Sequence, residues 1–338
     1  MSEKFPVPIL LVIFNRPSTT QKVFDQIKIL KPAKLYISAD GPRNNIDSDK
    51  ELCEEARRII EQIDWDCELH TRFLDVNLGC AKAISSGITW FFSHELEGII
   101  LEDDCVPHQT FFPYCEALLE MYRDNPKVMM IAGGNGVSDM FPLSNTYDFS
   151  RWAWIWGWAS WKRAWDEYDI TLGWWKSCSH KIGHDPYFDA VPLFREEVLY
   201  VGDYLSTTTT PDTWDYQWAF SIYMNNGLCI VPQENLISNI GDVGLHYSGD
   251  EPHPELFRET KPLDLQHIYD IRDPAPNQEL DNSIMSGVAE KTPQYLCALK
   301  LGRIGRMLHI FPLFQRFHPL RVGFFVKQTI KDLRVRGM

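Results

Sequence analysis

The sequence lacks several features that would assign it to a simple class. It has 8 cysteines but no C-x-x-C pair, which argues against a zinc ribbon and a compact disulfide framework. No apolar run reaches the ~20 residues of a membrane-spanning helix. No small-residue cleavage site follows the apolar segment 5–14, so we expect no signal peptide. The net charge of −13 argues against nucleic-acid binding. We therefore expect a cytoplasmic protein without a nucleic-acid partner.

The chain is rich in tryptophan. Its 338 residues suffice for one large α/β domain or two small domains that share a cleft. Of the 12 tryptophans, Trp152, Trp154, Trp156 and Trp158 occupy every second position. This period of two predicts a strand in the segment 150–161 with all four indoles on one face. Such a face is either buried in the core or stacks on sugar rings.

Short apolar segments alternate with helical patterns four times in about a hundred residues. The alternation predicts an α/β fold with a doubly wound, mostly parallel sheet. In such sheets, ligands bind beyond the carboxyl ends of the strands. The predicted strands are 8–14, 34–40, 67–74, 98–104 and 127–133, and a later helix is predicted in "TWDYQWAFSIYMNN".

Three consecutive acids, Glu102, Asp103 and Asp104, end the fourth predicted strand in "GIILEDD". Neighbouring carboxylates repel one another and stay ionised together only if they are solvated or share a cation. An isolated pair of acids is most often a solvated loop or a helix N-cap. Here the acids follow a buried strand and face the polar ends of other strands, which favours a metal or ligand site.

Seven segments in a fixed order resemble the GT-A nucleotide-sugar glycosyltransferases. The similarity is greatest to the branch around N-acetylglucosaminyltransferase I and to bacterial relatives in glycosyltransferase family 2, and it covers about residues 8–250. It implies a GT-A, Rossmann-like fold. It also implies metal-dependent sugar transfer from a nucleotide-diphosphate sugar, with a UDP-sugar favoured, to a hydroxyl of a glycan or glycolipid in surface polysaccharide biosynthesis. The segments are "LLVIFNR", "ISADGPR", "NLGCAKAISSGI", "LEDD", "WIWGW", "TWDYQW" and "GLHYSG".

The resemblance gives each acid a role. It implies that Asp104 binds Mn²⁺ or Mg²⁺, that Asp103 reaches the ribose or a metal-bound water, and that Glu102 contacts the donor sugar. His246 matches a C-terminal histidine that completes the metal site in many of these enzymes, although a lone histidine is more often structural. The metal would neutralise the charge of the donor diphosphate.

The resemblance also implies a donor site built from several strand ends. The end of the first strand lies near base and ribose, and the acid after the second strand reads the nucleoside. The segment before the third helix lies near the diphosphate, and the "WIWGW" segment lies near the donor sugar. The implied donor-binding residues are Phe14, Asn15, Arg16, Asp40, Asn77, Gly79, Lys82, Glu102, Asp103, Trp156, Gly157 and Trp158.

Asp215 is the predicted catalytic base. An inverting transfer needs one carboxylate within hydrogen-bond reach of the acceptor hydroxyl, although an acid in a first helical turn is also common without any such role. The related enzymes carry tandem acids where this chain has Asp215 followed by Tyr216 and Gln217. Asp166 and Glu167 are therefore reserve candidates.

The predicted domain organisation has three parts. Residues 1–250 form the catalytic domain, with a nucleotide-binding half over about 1–130 and an acceptor half over about 131–250. Residues 251–299, rich in proline and acids, form an extended wrap over its surface. Residues 300–338 form a basic amphipathic tail with nine Lys or Arg and one acid, Asp332.

Two interpretations stay open for this tail. It binds the anionic inner face of a membrane, near a lipid-linked acceptor, or it packs as helices on the acidic catalytic domain. Pro312 and Pro319 divide it into pieces too short for a core of their own, which favours the membrane. Two other functions also remain: an inactive nucleotide- or carbohydrate-binding module, and a sugar nucleotidyltransferase. The second would need a basic, glycine-rich loop where this chain has "FNRPSTTQ".

Overall fold

The computed structural model describes residues 4–206, 212–241 and 257–291. His246 and the basic tail 300–338 lie outside the described residues. The described strands are β1 Ile9–Ile13, β2 Lys34–Ala39, β3 Glu68–Phe73, β4 Glu97–Glu102, β5 Cys105–Pro107, β6 Val128–Ala132, β7 Tyr147–Ser150, β8 Trp158–Trp161, β9 Leu228–Pro232 and β10 Ile237–Asn239. The described α-helices are α1 Pro17–Leu30, α2 Asp47–Arg57, α3 Cys80–Phe92, α4 Phe111–Tyr122, α5 Lys162–Trp165, α6 Trp175–Gly183, α7 Pro186–Ala190, α8 Pro192–Leu205, α9 Asp215–Met224 and α10 Gln278–Lys291.

Eight strands form one mixed sheet in the order β3-β2-β1-β4-β8-β6-β9-β7. The pairs β1–β2, β2–β3, β1–β4 and β6–β9 are parallel. The pairs β4–β8, β6–β8 and β7–β9 are antiparallel. A second sheet contains only β5 and β10. The predicted α/β class with a mostly parallel sheet is confirmed.

Helices cover both faces of the large sheet because its central strands are apolar on both sides. Along β1, Ile9, Leu11 and Ile13 pack in one core together with α1 and α4. Leu10 and Val12 point the opposite way, into a second core formed with α3 and α9. We call these the first core and the second core. The alternation of β1 side chains between them follows from the pleat of a strand.

The carboxyl ends of β1, β2 and β4 lie side by side. Ile13 pairs with Ala39, and Val12 pairs with Glu102, so the residues that follow these strands leave the sheet at one edge. The polar positions that the sequence predicted at strand ends are therefore neighbours.

The predicted strand over 150–161 is wrong in extent. The chain is irregular after Ser150, and β8 begins only at Trp158. At Gly157 the backbone has φ +65°, which breaks the period-two pattern. As a result, Trp156 packs against the first core and Trp158 lies in the second, so the indoles do not share one face.

The described residues divide into two compact units. The first comprises 4–171, 212–241 and 257–280 and contains both sheets. The second comprises 172–206 and 281–291. Within the second unit, the indole N–H of Trp175 donates to Asp203 at 2.9 Å, the hydroxyl of Tyr187 bonds to Asp281, and Phe188 packs edge-on against Phe194.

Within the first unit, residues 257–277 contain one turn of 3-10 helix, at Leu265–His267. Main-chain groups of this segment bond to residues elsewhere in the same unit. Thr146 donates to the His267 carbonyl, and the Ile271 N–H donates to the Tyr122 hydroxyl. From Gln278 the chain is helical to Lys291, where the sequence predicted an extended course. No helix in the described ranges has the length and apolar character that crossing a membrane requires.

Gly41 offers a test of how β2 meets the loop that follows β3. A Cβ at Gly41 would lie 2.5 Å from backbone atoms of Val76, which cannot move aside as a side chain can. We expect Gly41→Ala to lower the free energy of unfolding by about 1–3 kcal/mol. Urea denaturation measures this loss. In Gly134→Ala the new Cβ meets Trp154 at an ordinary 3.7 Å, so this control should be close to wild type; equal stability of the two variants would contradict the packing.

Candidate functional site

Arg16 joins the first and fourth strands at their carboxyl ends. Its guanidinium donates to Asp104 Oδ2 at 2.7 Å through Nη1 and to Asp103 Oδ1 through Nη2. The Phe14 N–H donates to the other oxygen of Asp103 at 3.2 Å. The N–H of Ile240, just after β10, donates to the Asp104 carbonyl at 2.8 Å. Contacts from three directions therefore fix the acid triplet.

The triplet carries more negative charge than Arg16 neutralises. Burial lowers the pKa of Arg16, but the charges of Asp103 and Asp104 outweigh that effect and raise it. Burial raises the pKa of Asp103 to about 6 despite its ion pair with Arg16. Burial and the charges of Asp104 and Asp103 also raise the pKa of Glu102. The carboxylate of Glu102 makes no hydrogen bond or ion pair with any residue that the structure describes.

Asp215 lies close to this triplet although it is more than a hundred residues away in sequence. Its charge contributes to the raised pKa of Glu102. The thiol of Cys80 has a raised pKa, first because of burial and then because of the charges of Glu102, Asp215 and Asp212. The first residue of α3, the first residue of α9 and the triplet therefore surround a common region. Sequence analysis predicted Glu102 and Asp215 here and missed Cys80 and Asp212.

Tryptophans in the second core hold the start of α9 in place. Trp214 stacks on Trp158 with ring centroids 5.9 Å apart, and Trp218 lies 5.6 Å from the same ring. The hydroxyl of Tyr168 donates to the Trp214 carbonyl at 3.2 Å. Asp215, the residue between these anchors, is half-buried. The motif "TWDYQW" thus combines the predicted base with the side chains that position it.

Asp40 does not have the open carboxylate that the sequence predicted. Its Oδ1 accepts from the N–H groups of Gly41 and Leu78, and its Oδ2 accepts from the Asn77 amide and the Gly79 N–H, at 2.8–3.1 Å. An ionised carboxylate has about four acceptor positions, and all four are filled. Asp40 therefore holds the loop 74–79 against β2, and the N–H of Gly79 points to Asp40 and not to a ligand.

The start of α3 nevertheless remains a suitable anion site. Its first turn has no side-chain cap at Gly79, where φ is +78°. The first N–H groups of a helix have no intrahelical acceptor and attract negative charge. Lys82, in this turn, is exposed and makes no ion pair with any described residue. The predicted diphosphate contact thus shifts from Gly79 to the helix residues after it.

A network that the sequence did not predict lies beside the end of β1. Asp49 is fully buried at the start of α2 and accepts from the Asn15 amide at 2.8 Å. It also binds Arg43 through the backbone N–H and two guanidinium nitrogens. The Arg43 guanidinium lies 5.5 Å above the ring of Phe14. Arg43 belongs to the quoted "ISADGPR", but no periodicity or motif marks Asp49.

Two of the three predicted sugar-binding residues in "WIWGW" are unsuitable. Trp158 is completely buried in the second core. The backbone of Gly157 packs closely against the Ile237 side chain and not against a ligand, because a Cβ there would lie 2.5 Å from that side chain. Trp156 is half-buried and stays a candidate.

The structure does not bring the reserve bases to the triplet. Both Asp166 and Glu167 are exposed, and Asp166 is paired with Lys162 at 2.6 Å. They follow Trp161, which pairs with Glu97 at the amino end of β4. That end is opposite the edge that carries the acids.

The donor chemistry around Arg16 suits a hard divalent cation. Within the described ranges, no three or more His, Cys, Asp or Glu side chains are arranged as a metal site. Mg²⁺ and similar ions, however, usually take only one or two protein carboxylates and fill the other positions with water and phosphate oxygens. Arg16 contacts two of the three carboxylates of the triplet, and a divalent ion would favour the ionised form of all three. The residues present therefore fit a metal that is held jointly by protein and ligand.

Comparison with protein-family models and with curated proteins gives no match for this chain.

Asp49 makes a specific contribution to stability that is lost at acidic pH. Hydrogen bonds from Arg43 lower the pKa of Asp49 to about 2. An aspartate in the unfolded chain titrates near 3.9, so ionised Asp49 stabilises the fold above about pH 4, and this contribution disappears as the pH falls through about 2. We expect the difference in unfolding free energy between wild type and Asp49→Asn to shrink from pH 5 toward pH 2.

Urea denaturation at several pH values measures this difference. The control is Asp47→Asn, which alters an exposed acid of the same helix and should differ little from wild type at any pH. A wild-type advantage over Asp49→Asn that stays constant from pH 5 to pH 2 would contradict the ion pair.

Proposed function

We propose that the protein is a metal-dependent, inverting glycosyltransferase of GT-A type. It moves a sugar from a nucleotide-diphosphate sugar, with a UDP-sugar favoured, to a hydroxyl of a glycan or lipid-linked acceptor. The observation that carries the proposal is the convergence of four groups: Arg16, the acids Glu102 to Asp104, the start of α3 and Asp215. A transferase needs a diphosphate site and a base on opposite sides of one sugar, and this edge of the sheet offers both.

The donor side of the proposal rests on charge. A diphosphate brings negative charge to a region that already holds several carboxylates, so binding requires cations and N–H donors. Arg16, Lys82 and the first N–H groups of α3 supply these from the protein. In the resemblance Asp104 is the metal ligand, and here its carboxylate accepts from Arg16. A bound divalent ion would polarise the phosphate oxygens and stabilise the departing diphosphate.

The acceptor side rests on Asp215. As the first residue of α9, it lies at the positive end of a helix dipole, which favours the ionised form that a base needs at neutral pH. Trp156, two residues before the start of β8, is half-buried, and its indole is available to stack on a sugar ring. The oxygen of the acceptor hydroxyl attacks the anomeric carbon from the side opposite the diphosphate. Asp215 takes the proton of that hydroxyl as the bond to the diphosphate breaks.

The identity of the acceptor depends on sequence alone. The tail 300–338 supports a lipid-linked acceptor and contact with an anionic membrane face through its basic and aromatic residues. An inactive binding module is the second candidate function, because Asp215 is a single acid where related enzymes have two. A sugar nucleotidyltransferase is the less favoured alternative.

Removal of the Asp104 carboxylate tests the metal. We expect Asp104→Ala to lose Mn²⁺-dependent binding of UDP while it stays folded, because the ion then loses its main carboxylate ligand. Isothermal titration of UDP with and without Mn²⁺ measures the effect. Asp124→Ala removes an exposed acid before β6 and should bind as wild type does. Unchanged Mn²⁺-dependent affinity in Asp104→Ala would contradict its role as the ligand.

Removal of the basicity of Asp215 tests the reaction. We expect Asp215→Asn to lower kcat by at least ~10²-fold, the usual contribution of a general base, with little change in donor affinity. Turnover of the donor in the presence of acceptor measures kcat. The control, Asp124→Asn, alters an exposed acid before β6 and should keep activity. Activity that survives in Asp215→Asn, or a product of retained anomeric configuration by NMR, would reject the assignment.

A further inference from the structure

Asp49 and Asn15 form a contact whose direction is set by chemistry. The Asn15 amide nitrogen donates to Asp49 Oδ1 at 2.8 Å. Asp49 is completely buried and its pKa is lowered to about 2 by Arg43. At neutral pH its oxygens can only accept hydrogen bonds. The amide of Asn15 must therefore turn its NH₂ group toward Asp49, and its oxygen faces away.

The oxygen of Asn15 is left without a partner among the described residues. Asn15 is half-buried, two positions beyond the carboxyl end of β1. Phe14, its neighbour, lies beneath the Arg43 guanidinium. This strand end therefore presents a flat aromatic and guanidinium surface next to one fixed acceptor atom. Such a combination suits a planar ring that carries an N–H donor.

Asp40 cannot compete for that ring. All four of its acceptor positions are occupied by the loop 74–79 and Gly41. Among the polar side chains at the ends of β1 and β2, the Asn15 oxygen is thus the acceptor left for a ligand. The identity of the base is then decided by whether its ring nitrogen carries a proton.

We propose that Asp49 is a positioning residue that fixes the Asn15 amide and thereby selects the base of the donor nucleotide. The inference rests on the proposed function and deepens it. A base with a protonated ring nitrogen, such as uracil, donates its N–H to Asn15 Oδ1. Cytosine has a lone pair at the same ring position, which faces the oxygen lone pairs and leaves both groups unpaired. A lost hydrogen bond with two unpaired polar atoms corresponds to roughly 10–100-fold in affinity.

Three nucleotides test the selection directly: UDP, CDP and UDP methylated at the N3 ring nitrogen. Titration calorimetry of wild-type protein with Mn²⁺ should give at least ~10-fold tighter binding of UDP than of either of the other two. The methylated base keeps both uracil carbonyls and carries a methyl group in place of the N–H, so weak binding of that probe places the contact at the N3 position, and CDP tests the donor itself.

Asp49→Asn gives a result that a structural role alone would not produce. Arg43 donates to Oδ2 of Asp49 through its N–H and Nε and to Oδ1 through one Nη. An asparagine that keeps its oxygen at the Oδ2 position retains two of these three bonds and turns its NH₂ toward Asn15. Asn15 then flips and presents its own NH₂ to the ligand. We expect the preference for UDP over CDP to fall at least ~10-fold, with CDP affinity unchanged or raised.

Asp47→Asn, on the same helix but exposed, is the matched control and should keep the wild-type preference. A second variant, Asn15→Leu, removes the acceptor atom together with the amide that donates to Asp49, but it leaves the Arg43–Asp49 ion pair in place. It should weaken UDP while leaving CDP unchanged. Equal affinity of wild type for UDP and CDP, or an Asp49→Asn variant that weakens both nucleotides equally, overturns the selection while the transferase proposal stands. Failure of every nucleotide diphosphate to bind overturns both.

Discussion

The candidate site depends on one half-buried guanidinium that bridges two carboxylates. Arg16 bridges Asp103 and Asp104, and with them the ends of β1 and β4, while burial and the charges of the two aspartates raise the pKa of Glu102. Burial of an ion pair is offset only when the partners satisfy each other's hydrogen bonds. Here Arg16 does so for two acids, and ionisation of Glu102 beside them costs free energy. A ligand that brings a cation reduces that cost, which couples binding to the stability of this edge.

Two neighbouring strand ends show how differently a buried carboxylate can be used. The acid after β2, Asp40, is surrounded by four N–H donors and organises a loop. The acids after β4 have one guanidinium and few N–H donors. In sequence both are apolar strands that end in acid, and both were predicted to contact the donor. The two acids differ in the number of backbone N–H groups that distant parts of the chain bring to them. The local sequence around each acid does not predict that number.

The sheet itself was largely predictable. Strands that are buried on both faces are apolar along their whole length, so they are recognisable in the sequence as short apolar segments between turn residues. This applies to β1, β2, β4 and β6. The prediction of one strand over 150–161 was wrong because Gly157 has a positive φ. The tryptophans on either side of it, Trp156 and Trp158, therefore pack in different cores. The acid triplet was predicted because three acids follow an apolar strand, and Asp215 was predicted because an inverting transfer needs one carboxylate base. Asp49 was missed because an acid at a helix start looks the same whether it is solvated or buried.

The position of Asp215 follows from packing. Trp214 and Trp218 precede and follow it, both in the second core against Trp158. Trp158 is itself the first residue of β8, which pairs with β4 at Ile100, two residues before Glu102. A short series of rigid contacts thus runs from the acid triplet through β4 and β8 to the first turn of α9. Side chains locked by large aromatic neighbours keep a fixed geometry. Trp158, which was predicted to bind sugar, therefore has a different role in this fold, because it sets the distance between the acids and Asp215.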